Sequence, residues 1–196
     1  SEKIKNVCDK YDIDTIKRPK NISGNNDSSE AAILHAMNII ENKKKINIDL
    51  IVFLQCTSPL RLKNDIDLSI ELFFGCGYDS LISVTKLEDL TLWSKKNKKL
   101  ESLNFDYKNR GMRQNRSENY IENGSIYLFK PSILKNKKNR LGGKIGMYEM
   151  KFWQTWELDT YEEIDLIEYL LKKHVMFENK IKIKKENLDL IAFDFD

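Results

Sequence analysis

The chain has 196 residues, long enough for one sizeable hydrophobic core. Its 33 basic and 30 acidic residues leave a net charge of +3, too balanced to argue for a nucleic-acid or membrane-surface partner. Cys8, Cys56 and Cys76 form no C-x-x-C pair, so neither a zinc site nor a disulfide framework is indicated, and a reduced, cytoplasmic setting is expected. No apolar run has the length of a membrane span, and no stretch carries the pattern of a signal peptide.

In chain order, Ile4, Val7, Cys8 and Tyr11 recur at helical spacing and predict an amphipathic helix over 1–11. Ile13 to Lys17 reads as a short strand, and 18–26 as a loop by its Pro, Gly and Asn content. Asp27-Ser28-Ser29-Glu30 has the form of a capping box opening a helix to about Glu41. His35 within that helix is read as structural. Asp49 to Gln55 is a continuous apolar run, the mark of a strand buried on both faces. Cys56-Thr57-Ser58-Pro59-Leu60-Arg61 ends it, and Asn64-Asp65 are good N-cap residues for a helix over 65–74. A buried strand opening into a polar turn before a helix is where α/β proteins place binding groups, and Gln55, Thr57, Ser58 and Arg61 are offered there. By pattern alone the same residues also make an ordinary βα turn. Gly75-Cys76-Gly77 stops the helix, and Ser80 to Thr85 is a further strand. Alternation of helix and strand predicts a mostly parallel sheet.

From Leu87 to Glu118 the pattern breaks into polar sequence with Trp93 and Phe105 isolated. Three arginines, Arg110, Arg113 and Arg116, surround Gly111 and Gln114; the arginine fork suits carboxylates and phosphates, and a solvated loop has the same composition. Tyr120 to Phe129 reads as a strand, with Asn123-Gly124 marking either a hairpin or the strand's entrance. Pro131 opens a short helix, Gly142-Gly143 is a joint, and Ile145 to Met150 is a strand. In Trp156-Glu157-Leu158-Asp159-Thr160, an extended backbone puts Glu157 and Asp159 on one side, as a Mg²⁺ site needs. Asp159 and Thr160 also suit a cap for a helix from about Tyr161, with Leu166, Ile167 and Leu170 on its apolar face. Leu188 to Phe193 is an apolar strand ending in Asp194-Phe195-Asp196; with a helix at the start, this gives the expectation that the chain is a fragment.

The ordered pieces Ser1-Glu2-Lys3-Ile4, Arg18-Pro19, Asp27-Ser28-Ser29, Gln55-x-Thr57-Ser58-Pro59-Leu60-Arg61, Tyr78-Asp79-Ser80, Arg113-Gln114, Glu122-Asn123-Gly124-Ser125-Ile126-Tyr127 and Leu158-Asp159-Thr160 resemble the acylneuraminate cytidylyltransferases over residues 1 to about 172. The resemblance implies a Rossmann-like, three-layer nucleotidyltransferase with an inserted dimerisation region. Its reaction couples CTP to a nine-carbon sialic-type acid and releases pyrophosphate, and its members are commonly homodimers. It implies sugar-side roles for Gln55, Thr57, Ser58, Arg61, Asn123 and Tyr127, and nucleotide-side roles for Arg18 and Ser28. Arg113 and Gln114 fall in the substrate region and, with Asp159, are the expected catalytic set. Asp159 and Glu157 match the Mg²⁺ pair, although the family usually has Asp where this chain has Glu157. The family's first strand and phosphate-cradling loop precede the matched region, so the 196 residues alone are expected to be inactive. Asp194 and Asp196 resemble the Asp-x-Asp opening of a haloacid-dehalogenase-type phosphatase. The expected layout is a transferase domain over 1–178, a linker over 179–187 and a first phosphatase strand over 188–196, with a phosphatase acting on a sugar phosphate as the alternative reading.

Overall fold

The computed structural model describes residues 2–24, 27–87, 90–112 and 118–176. The expected linker and phosphatase strand lie outside them. The protein is a mixed α/β structure built on a four-stranded sheet. Its elements are α1 (Glu2–Lys10), α2 (Ser29–Lys44), β1 (Ile51–Phe53), α3 (Asp65–Gly75), β2 (Ser80–Lys86), β3 (Trp93–Lys96), β4 (Lys99–Ser102), β5 (Tyr120–Phe129), α4 (Pro131–Lys137), β6 (Ile145–Met150) and α5 (Ile164–Leu170). No helix among the described residues is long and apolar enough to cross a membrane.

The sheet order is β1-β5-β2-β6, with β5 antiparallel to both neighbours and β2 parallel to β6. Thus β1, β2 and β6 share a direction, as their helical connections require, but only one adjacent pair is parallel. The expectation of a mostly parallel ladder is corrected by β5. That strand follows the irregular excursion after β2 rather than a crossover helix, and an antiparallel pair needs no crossover. Along β5, residues alternate between the two faces. Tyr127 and Phe129 join Ile33, Met37, Ile51, Phe53 and Leu134 beneath α2 and α4. Ile126 and Leu128 join Leu54, Phe73, Leu81 and Met150 on the α3 side. Helices therefore cover both faces; β1 is shorter than the apolar run over 49–55, with Ile51 and Phe53 buried on one face and Val52 half-buried on the other.

Other expectations shift locally. Residues 13–19 pair with no strand, so the strand expected over Ile13–Lys17 is not formed. Ser28, not Asp27, caps α2, accepting the Ala31 amide at 3.3 Å, while Asp27 reaches back to the Gly24 amide at 2.6 Å. Asn64 makes no cap bond with its side chain. Trp93 and Phe105 are not isolated: their rings pack at 5.3 Å, beside a β3–β4 hairpin turned by Asn97 and Lys98 in the left-handed region. In α5, Ile167 and Leu170 are buried against Leu60, whereas Leu166 is exposed.

Asp65, expected as a cap residue, is instead a buried junction. It accepts the Leu62 amide at 2.6 Å, Gln154 Nε2 at 2.7 Å and the Tyr148 hydroxyl at 3.1 Å. Gln154, itself buried, also donates to Leu60 O at 2.8 Å. These bonds lock the turn after β1 to the segment that follows β6. Removing a buried acceptor leaves its donors unsatisfied. Asp65→Ala is therefore expected to lower unfolding free energy by at least about 1–3 kcal/mol in denaturant titration; an unchanged midpoint would contradict the junction.

Candidate functional site

The candidate site lies where the shared direction of β1, β2 and β6 brings their C-terminal ends to one edge, the usual place for ligands in open α/β sheets. The chain leaves β1 through Gln55, and the turn closes with the Ser58 amide on Gln55 O at 3.3 Å. Pairing with β5 ends at Phe53, and Pro59, which has no amide to donate, keeps the turn from rejoining a ladder. Arg61 fastens the turn to β5: its Nη1 donates to Ser58 O at 2.5 Å and to Ser125 O and Oγ, both at 3.1 Å. Burial pulls the Arg61 guanidinium below its usual range, while Asp65 and Cys56 oppose that shift.

A second tether comes from the segment after β6. The Leu158 amide donates to Thr57 O at 2.7 Å, and Ser58 Oγ donates to Glu157 Oε1 at 3.1 Å. The Ser58–Glu157 pair lies beside Gly124, whose φ of +64° favours glycine. A Cβ there would sit 2.2 Å from Glu157 Oε1, 2.8 Å from Ser58 Oγ and 3.1 Å from Gln55 Oε1. Asn123-Gly124 does not turn a hairpin; it lies inside β5, where the ladder to β2 slips between Ile82 and Val84. Asn123 is buried, accepting Ser83 Oγ at 2.6 Å and donating to Met150 S at 3.2 Å.

Tyr127 is also buried, and its hydroxyl donates to Glu122 Oε1. Burial first, and Glu122 second, push the phenol's pKa up, so it stays protonated. Arg140 lies over the Tyr127 ring at 4.6 Å and the Phe53 ring at 4.9 Å. The Glu157 carboxyl is pushed up by burial, then by the negative charges of Asp159, Glu122 and Glu163, while the Ser58 hydrogen bond works the other way. Asp159 is exposed, and Thr160 is the N-cap of the 3-10 turn Tyr161–Glu163 that leads into α5, in a capping box with Glu163, whose Oε2 accepts the Asp159 and Thr160 amides at 2.7 Å each.

The structure thus brings together Gln55, Thr57, Ser58, Arg61, Tyr127, Glu157 and Asp159, with Asn123 supporting them from inside the sheet. Ser28 stands at the start of α2, and Arg18 is half-buried before the short 3-10 turn Lys20–Ile22. Arg113, Gln114, Asp194 and Asp196 lie outside the described residues. Among the described residues, no group of three or more His, Cys, Asp or Glu is arranged to hold a metal ion. Mg²⁺ usually takes only one or two carboxylates besides phosphate oxygens and water. Hard oxygen donors and accumulated negative charge at Glu157 and Asp159 fit such an ion. Sequence reasoning named Glu122 only as part of the Glu122–Tyr127 motif, with no role, and left out Arg140 and the steric role of Gly124. No protein-family model matches the chain.

Because the folded state raises the Glu157 pKa, it binds that proton more tightly than the unfolded chain. The resulting stabilisation is present below the unfolded carboxyl pKa and lost as pH rises through the folded one. Glu157→Gln, which keeps an acceptor for Ser58, is expected to melt higher than wild type at neutral pH. That gap should close below about pH 4, near the ordinary glutamate pKa. Thermal melts across pH test this; a pH-independent gap, or a less stable variant at neutral pH, would contradict it.

Proposed function

We propose that the protein is a nucleotidyltransferase, and specifically one that couples CTP to a sialic-type nonulosonic acid, releasing pyrophosphate. One observation carries the reading: the Gln-x-Thr-Ser-Pro-Leu-Arg turn, the Glu-Asn-Gly-Ser-Ile-Tyr strand and the Glu157–Asp159 segment, far apart in sequence, meet around Gly124. These are the motifs that carry the resemblance, and a shared ligand site would require them to meet. The mixed sheet with helices on both faces is compatible with the Rossmann-like form, which remains part of this proposal.

In the proposed reaction the sugar's anomeric hydroxyl attacks the α-phosphorus in line. An O–P bond forms, the bond to pyrophosphate breaks, and the hydroxyl loses its proton. Catalysis of this kind is mostly positioning and charge neutralisation. Gln55 and Tyr127 hold the sugar, with Glu122 fixing the Tyr127 hydroxyl. Arg61 supports the wall from behind, since its Nη1 bonds to backbone carbonyls. Arg113 and Gln114 complete the substrate region, and Ser28 and Arg18 face the nucleotide. Asp159 and Glu157 would hold Mg²⁺, which supplies neutralisation of phosphate charge and a lower pKa for the attacking hydroxyl. A homodimer through the 87–155 region belongs to the same proposal; the exposed Leu100 and Leu103 are consistent with a contact there.

The test is CMP-sugar and pyrophosphate formation by the full-length protein with Mg²⁺, CTP and, in turn, sialic, legionaminic and pseudaminic acids. Asp159→Ala is expected to cut turnover on the accepted acid by about 100-fold or more, the several kcal/mol a metal contributes to such a transition state. Near-wild-type turnover by that variant would remove the metal assignment.

A further inference from the structure

Arg140 follows α4 in a lysine-rich stretch, yet its side chain turns inward and is only 18% exposed. Nε donates to Glu30 Oε1 at 2.7 Å and Nη2 donates to Ser29 Oγ at 2.9 Å, both in the first turn of α2. The same guanidinium lies 4.6 Å from the Tyr127 ring centroid and 4.9 Å from that of Phe53. The two rings are themselves 5.8 Å apart and tilted by 42°. One planar cation therefore joins the start of α2 to β1 and β5 beside the candidate site.

We infer that Arg140 is a positioning residue: it sets the orientation of the Tyr127 ring, and through it the phenol oxygen and Glu122, for the carbohydrate ligand. This rests on the reading of Tyr127 as a sugar contact. Core packing against Ile33, Met37, Ile51 and Phe53 restricts the Tyr127 rotamer, and the cation over the ring face adds a directional contact that fixes the ring's tilt. Glu30 and Ser29 fix the plane of the guanidinium, and the ion pair is half-sheltered on both sides, with Glu30 16% exposed. The phenol proton is committed to Glu122, so the phenol oxygen's lone pairs and the second Glu122 oxygen are what the pair offers a polyhydroxylated ligand. Lysine at 140 could keep the charge and the pair to Glu30. It could not provide a flat face for stacking or a second oriented donor for Ser29.

The experiment measures KM for each substrate separately in the full-length protein. Arg140→Lys and Arg140→Gln are expected to raise KM for the sugar acid about 10-fold, the scale of a desolvated cation–π contact, with KM for CTP unchanged. Ser29→Ala, which leaves the stack but frees one end of the guanidinium, should shift the sugar KM about threefold in the same direction. An unchanged sugar KM in Arg140→Lys, or equal rises in both KM values, overturns the inference. If the Arg140 variants show no folding transition, Ser29→Ala decides, and an unchanged sugar KM there overturns it. Wild-type protein that makes no CMP-sugar overturns the functional reading, and this inference with it. Product formation with unmoved KM values overturns this inference alone.

Discussion

Gly124 has no side chain, and three other side chains use the space one would fill. Gln55, Ser58 and Glu157 come from two segments about a hundred residues apart, and both are packed against the same Cα on β5. The contact is held from two sides. Arg61 ties the turn after β1 to Ser125 on the strand, and the Leu158 amide ties the segment after β6 to Thr57 in the turn. Asp65 and Gln154 repeat that connection one layer deeper, in the buried interior. The candidate site is therefore a consequence of how β1, β5 and β6 are joined at one edge.

That edge gathers negative charge. Burial raises the Glu157 carboxyl most, the nearby charges of Asp159, Glu122 and Glu163 add to that rise, and the Ser58 hydrogen bond opposes it. Two arginines beside the edge are occupied otherwise: Arg61 Nη1 with carbonyls, Arg140 with Glu30 and two rings. Like charges left uncompensated cost stability, a common signature of groups kept for function. The proposed use, a Mg²⁺-bound nucleotide meeting a sugar acid, would bring a cation to this acidic edge.

Much of this was legible in the sequence because the signals were local. β2 and β6 fell where short apolar or β-branched runs placed them, and the stop at Pro59 marked the turn. Ile167 and Leu170 were read as buried from helical spacing; Leu166 was not distinguishable from them until α5 had a neighbour. Strand direction was not legible: the residues of β5 specify a strand, and nothing in a period of two says which way it runs. The β3–β4 hairpin went unread because its turn is Asn97-Lys98 rather than Asn-Gly, while the true Asn-Gly pair lies inside a strand. Arg140 was hidden among lysines, because the features that draw it inward, Glu30 and the rings of Phe53 and Tyr127, are distant in sequence. The motifs named the participants; their meeting at a glycine is tertiary information.

Two glycines separate conformational strain from crowding. Gly77 has φ +62° with no atom within 4 Å of an added Cβ, whereas Gly124 has φ +64° and three polar atoms in that space. Unfolding free energies of Gly77→Ala and Gly124→Ala, measured side by side, test the convergence most directly. The left-handed backbone costs each variant about 1–2 kcal/mol, and crowding is expected to cost Gly124→Ala about 1–3 kcal/mol more. Equal losses at the two positions would mean that Gln55, Ser58 and Glu157 do not meet over Gly124, and the site built on that contact would not stand.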